Sequence, residues 1–219
     1  MGPSTVARCD NFGHGSSLEG RRREPLAPSP SRRRYSERMP LDADNKDWTW
    51  VLERRCPECG FDAAAVSRAN VADAVRQSAE AWRNSLHGEK VRTRPRDDRW
   101  STLEYGCHVR DVFRIFDVRL GLMLDHDNPE FESWDQDAAA VSGDYDTQEP
   151  TTVARELVEA GWRYGDRLGQ VRDDQWLRAG RRSNGSRFTV ESLATYSLHD
   201  LVHHLWDVRG QWSDLVALS

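Results

Sequence analysis

His199 and His203 stand four residues apart in a stretch, residues 195–208, that has no proline or glycine before Gly210. If that stretch is helical, the two rings share one face and are separated by about 6 Å along the axis. Two imidazoles one turn apart can hold one metal ion. A third ligand must come from another element, and His108 lies in the only other strongly apolar helical stretch that carries a histidine. Burying several imidazoles together leaves polar nitrogens in need of partners, which a metal would satisfy. Three histidines make an open site, with a position left for water or a substrate atom. A metal there acidifies a bound water and turns a bound thiol into a nucleophile. Zinc or nickel suits imidazole ligands. Asp200, not glutamate, follows His199, so the metalloprotease pattern HExxH is absent. His204 lies about 100° round the helix from His203 and is expected to stay outside the site. His87 and His126 fall at helix ends and are left out as well.

Other side chains could assist. Glu104, one turn before His108, could orient that ring or take a proton, and it serves equally as a helix cap. Arg178, Arg181, Arg182 and Arg187 sit in one polar segment. Of these, Arg182 and Arg187 are taken as substrate-binding candidates, because a guanidinium matches a carboxylate in a two-point fork. Cys56-Pro57-Glu58-Cys59 is a CxxC turn with no second CxxC elsewhere. It reads as a redox pair, as half of a zinc site, or as an inert reduced turn.

The elements that position these residues are helical. A first helix is expected from Asp62 to about Leu86, with Val71, Val75, Trp82 and Leu86 on its stripe. Ser101-Thr102-Leu103-Glu104 is a capping box flanked by Trp100 and Tyr105, and it predicts a helix to about Leu124. Residues 125–149 are acidic and irregular and lack the EF-hand spacing of a calcium loop. A third helix follows Pro150 from about Thr151 to Gly169. Ser183-Asn184-Gly185-Ser186 signals a tight turn joining short strands around Arg181 and Phe188. A fourth helix begins after Thr189 and ends near Gly210. The expectation is an all-α four-helix bundle over residues 62–213. Residues 41–61 form a lead-in with the CxxC, in which Trp48, Trp50 and Val51 allow a short extended segment.

Charge is divided along the chain. Of 219 residues, the first 40 hold eight arginines and four acids, about +4, whereas the whole chain is −5. The folded part is therefore acidic, which argues against binding nucleic acid through phosphates. No apolar run reaches the length of a membrane span, and no secretory leader is evident, so a cytoplasmic location is expected. Residues 1–40 read as a disordered Arg/Pro/Ser-rich tail. Met39, where organised sequence begins, is an alternative start, which mass spectrometry of the native N-terminus would decide.

Taken together, His108 within residues 104–111 and His199 with His203 in the last helix resemble the DinB/YfiT-like superfamily of metal-binding four-helix bundles. The resemblance covers about residues 48–212. It implies a divalent-metal site of His108, His199 and His203. It also implies kinship with thiol-dependent transferases and isomerases, some of which use mycothiol or bacillithiol. Some members of the mycothiol-dependent maleylpyruvate isomerase type have glutamate at the first position of the last-helix pair, where this chain has His199. Among 31 basic residues only Lys46 and Lys90 are lysine, a composition that fits the high-GC genomes of mycothiol producers. The implied function is thiol-dependent S-transfer or isomerisation of a small-molecule substrate, with a non-catalytic metal-binding or stress-response module as the alternative. Bundles of this kind often pair, so a homodimer is a further expectation.

Overall fold

The computed structural model describes residues 47–218. The arginine-rich tail, Cys9, His14 and the alternative start at Met39 lie outside the described residues.

Among the described residues, five α-helices and a small three-stranded sheet make the fold: α1 (Val71–Ser85), α2 (Thr102–Asp125), β1 (Glu130–Phe131), α3 (Gln136–Ser142), α4 (Pro150–Gly169), β2 (Ala179–Arg182), β3 (Arg187–Thr189) and α5 (Val190–Arg209). The four long helices are the expected ones. α1 packs along α4, α4 along α2, and both α1 and α2 pack against α5. Val75, Trp82, Phe113, Leu157, Tyr164 and Val202 are fully buried between them. Among the described residues no helix is long and apolar enough to cross a membrane.

Local chemistry sets the helix ends. At α2, the Ser101 hydroxyl accepts from the Glu104 N–H and the Glu104 carboxylate accepts from the Ser101 N–H, at 3.2 and 2.8 Å. Trp100 packs edge-on against Tyr105, 5.4 Å between centroids, as a staple should. Thr189 caps α5 through the Ser192 N–H, and Gly210 ends the helix in the left-handed conformation at φ 72°.

Two expectations change. Asp62 does cap a helical turn, but only the 3-10 turn Ala63–Ala65; Val66 is extended and the long helix restarts after Asn70. The aromatic lead-in is not extended either. Trp48–Leu52 is a 3-10 helix, because the Asp47 carboxylate accepts from the Thr49 N–H at 2.9 Å and closes the first turn. The hairpin before α5 forms around Asn184 and Gly185, with Gly180 opposite Phe188, and gains a third strand: β1 pairs parallel to β2, Phe131 opposite Arg182. The acidic loop between α2 and α4 also contains α3 and a 3-10 turn at Tyr145–Thr147.

Where Gly161 of α4 meets Ala79 of α1, there is no room for a side chain. A Cβ on Gly161 would lie 2.5 Å from the Ala79 Cβ and 3.2 Å from Phe113. Alanine is the better helix former by about 1 kcal/mol, yet the clash is between backbone-anchored groups. Gly161→Ala is therefore expected to lower stability by about 1–3 kcal/mol, read from the urea midpoint. An unchanged midpoint would mean that the two helices separate at little cost.

Candidate metal centre

Four ionisable side chains within two turns of α5 organise one end of the bundle. His199 and His203 form one i, i+4 pair; Asp200 and His204 form another, advanced by one residue and so turned by about 100°. The first pair faces the lead-in. Trp48 lies against both rings, at 5.8 and 5.4 Å, and Phe61 lies against His199 at 5.3 Å. The second pair faces α2, where His108 meets His204 edge to face at 4.8 Å.

Two groups of potential metal ligands result. One comprises Cys56, Cys59, His199 and His203; the other comprises His108, Asp200 and His204. In each group, ligand atoms lie within 4.8 Å of one another. The structure thus divides His108, His199 and His203 between two groups. It gives His108 the company of His204, the residue that sequence reasoning set aside, and of Asp200. His126 and His87 stand in neither group.

In the second group, His108 Nε2 lies 3.3 Å from Asp200 Oδ1, and His204 Nε2 lies 3.6 Å from the same oxygen. His204 Nδ1 is 2.8 Å from Asp207 Oδ2, and Arg99 donates to Asp207 Oδ1 at 3.1 Å. In the neutral ring, an Nδ1–H donated to Asp207 leaves the Nε2 lone pair facing Asp200 and His108. This is the carboxylate–histidine support that orients ligands at metal sites. His108 stacks on Trp134 at 5.2 Å, and its Nδ1 is buried with no hydrogen-bond partner among the described residues.

Protonation favours metal binding. Burial holds His108 below the usual histidine value, although Asp200 opposes the shift. Burial pushes Asp200 up, but the histidines, His108 first, outweigh it and bring the carboxyl down to about 2. Burial, with His203 beside it, lowers His199 to about 4. Near neutral pH His108 and His199 are free bases and Asp200 is a carboxylate, so none of these three must shed a proton to bind a cation. Two imidazoles and one carboxylate, as in His108, His204 and Asp200, make the donor set of a hydrolytic zinc site. The residues present therefore fit a divalent metal.

A cavity of about 600 Å³ opens beside this centre. Asp200, His203 and His204 line it on the α5 side, and Arg119, Arg182 and Tyr196 line it as well. Arg119 is buried between the rings of Phe116 and Phe131 and donates to the Glu132 carbonyl at 2.9 Å. Burial, then the neighbouring Arg182, lowers it to about 10, still cationic at neutral pH. Arg182 is held by Asn184 and Ser186 of the hairpin turn, each at 3.0 Å. Arg187 is exposed on β3 and does not line the cavity. Arg178 donates to the carbonyls of Met123 and His126, a structural task, and Arg181 pairs with Glu130.

Glu104 is engaged elsewhere. It is buried, caps α2 and is gripped by Arg94 through both carboxylate oxygens. Burial raises its pKa, but Arg94 and Ser101 outweigh burial and leave it lowered. It is absent from the cavity wall.

Comparison with known proteins agrees with this architecture. The family model described as the DinB superfamily matches residues 71–208. No curated protein matches the sequence significantly. Among solved structures, YfiT from Bacillus subtilis is similar, with a TM-score of 0.60 at 19% identity over 67% of this chain and 86% of its own. It is described as a probable metal-dependent hydrolase with an unusual four-helix bundle topology.

Proposed function

Because the chain belongs to the DinB superfamily, we propose that it is a divalent-metal-dependent hydrolase of a small anionic substrate, with the metal held by His108, Asp200 and His204. The observation that carries this reading is one cavity whose wall holds Asp200 and His204 of the ligand group together with Arg119 and Arg182. The description of YfiT supports the hydrolytic class. Zinc is the ion this donor set suits best, with nickel next.

The metal, when bound, supplies Lewis acidity that polarises a substrate oxygen and lowers the pKa of a bound nucleophile. The protein supplies the rest. Arg182, fixed by the turn, presents a planar fork to a carboxylate or phosphate. Arg119 adds a second positive charge from a buried position, where it is screened less than at the surface. Asp207 fixes the His204 ring and so fixes which nitrogen faces the site. Trp100 and Trp134 shield His108 from water.

A second reading keeps the site and changes the nucleophile to a low-molecular-weight thiol, mycothiol first. It is favoured by Asp200, an acid at the first position of an acid-x3-His pair, as in the maleylpyruvate isomerase type. The test is turnover of small esters and amides, anionic and neutral, by metal-loaded protein with and without added thiol. Hydrolysis of anionic substrates that stops on chelation is the expected result. Turnover only with thiol would establish the second reading. No turnover under any condition would leave a non-catalytic metal-binding module.

A further inference from the structure

We propose that Cys56, Cys59, His199 and His203 form a second, closed metal site that takes zinc as a structural ion and clamps the lead-in onto α5. This site is separate from the catalytic reading above and uses none of its ligands.

The local fold of the CxxC is that of a ligand turn. Cys56 N–H donates to the Phe61 carbonyl at 2.8 Å, and Gly60 N–H donates to the Cys56 carbonyl at 3.0 Å. Gly60 takes φ +75°, a conformation that a side chain would strain. The turn brings both sulfurs within 4.8 Å of the two imidazoles. Cys56 Sγ is 3.7 Å from His203 Nδ1. Both thiols are reduced and unpaired with each other.

Closure is the next argument. The four residues expose 1%, 9%, 4% and 7% of their surface in chain order. Two thiolates and two imidazoles fill all four positions of a zinc ion, the full protein ligand count of structural sites, whereas catalytic zinc keeps a position open. The independent sign of a missing partner is His199 Nε2, which is buried with no hydrogen bond among the described residues. An apolar core has no reason to hold a bare imidazole nitrogen beside two thiols; a cation supplies the partner. The other nitrogen of His203 lies 3.6 Å from Glu58 Oε2, a carboxylate placed to orient the ring from behind. Glu58 belongs to the CxxC itself, so one turn supplies two ligands and the support for a third.

The clamp has structural work to do. Residues 47–61 precede the four long helices and contribute only short elements to the core. Beyond the candidate site, they are fastened to the last helix and its C-terminal extension by Trp48 and Phe61 against the histidines and by Trp212 Nε1–H donating to the Cys59 carbonyl at 2.7 Å. A zinc ion would join segments about 140 residues apart in sequence, a distance at which loop closure is costly without a cross-link.

The experiment is zinc stoichiometry and cobalt spectroscopy on the full chain. Wild type is expected to bind about two ions, and Cys56→Ser with Cys59→Ser about one. Cobalt substitution is expected to give thiolate-to-metal charge-transfer bands in wild type and in His108→Ala/His204→Ala, and none in the cysteine variant. Should the cysteine variant fail to fold, wild-type protein still decides. Two thiols protected from a disulfide reagent until a chelator is added support the site. Thiols that react alike with and without chelator, a Cys56–Cys59 disulfide in metal-treated protein, or cobalt spectra without thiolate bands would overturn it. One ion per chain that leaves with the cysteines would keep this site and remove the catalytic one.

Discussion

Asp200→Ala is expected to strip the metal from the His108 group and to lower kcat/KM by at least about 100-fold, or about 2.7 kcal/mol of transition-state stabilisation. Asp200 is the only anionic ligand in its group, and both rings approach its Oδ1. Losing even an outer support typically weakens metal affinity about 10- to 100-fold, and a direct ligand counts for more. Asp200→Asn separates charge from shape, since it keeps the volume and one carbonyl oxygen. It should retain the melting temperature of the chelated protein and still lose most of the metal. The measurements are metal content, kcat/KM and the melting curve of each variant after chelation. A variant that keeps its metal and its rate would dismiss Asp200 as a ligand and restore the three-histidine set of His108, His199 and His203. His204→Ala gives an independent check, because it should fail like Asp200→Ala in one reading and be silent in the other.

The contrast between those two ligand sets shows how far a sequence reaches. Spacing of four along a helix is legible, and so are the capping box at Ser101, the N-cap at Thr189, Pro150 opening α4, and the Asn-Gly turn. These are local signals, resolved by chemistry within a few residues. Which neighbour each helical face meets is a tertiary fact. With histidines at both 203 and 204, α5 carries two interleaved i, i+4 pairs, and periodicity alone gives no reason to join His108 to one rather than the other. A signal was present all the same. Read as half of a zinc site, a CxxC needs two further ligands, and the His199–His203 pair would complement it; Asp200-x3-His204 would then be left for His108. The lead-in was misread for a similar reason. Alternating aromatics suggest a strand, but a two-residue contact from Asp47 to Thr49 is enough to start a 3-10 turn that no partner strand opposes. Strand β1 was beyond reach, being two residues long and paired with a segment about 50 residues away.

Trp82→Ala is expected to cost roughly 3–5 kcal/mol of folding stability and to disturb the metal centre from a distance. The indole is fully buried between α1 and α5, and its Nε1–H donates to the Leu201 carbonyl at 3.1 Å. Leu201 directly follows Asp200 and precedes His203 and His204, so this bond fixes both the depth and the rotation of α5 at its ligands. Truncation to alanine removes the ring, leaves a cavity and takes away the donor at once. Trp82→Phe keeps most of the packing and should cost only about 1–2 kcal/mol, chiefly the lost hydrogen bond and a smaller void. Urea denaturation of metal-free protein measures the first effect without linkage to ion binding. Metal affinity and kcat/KM of the folded fraction measure the second, since a misplacement of about 1 Å can reduce a rate by about 100-fold. If Trp82→Ala lost stability while metal affinity stayed at the wild-type level, α5 would be held in register elsewhere. The buried Tyr164–Ser197 bond at 2.8 Å would be the next position to test. If both fell together, the bundle core and the metal centre would be one mechanical unit, with α1 setting the position of ligands carried by another helix.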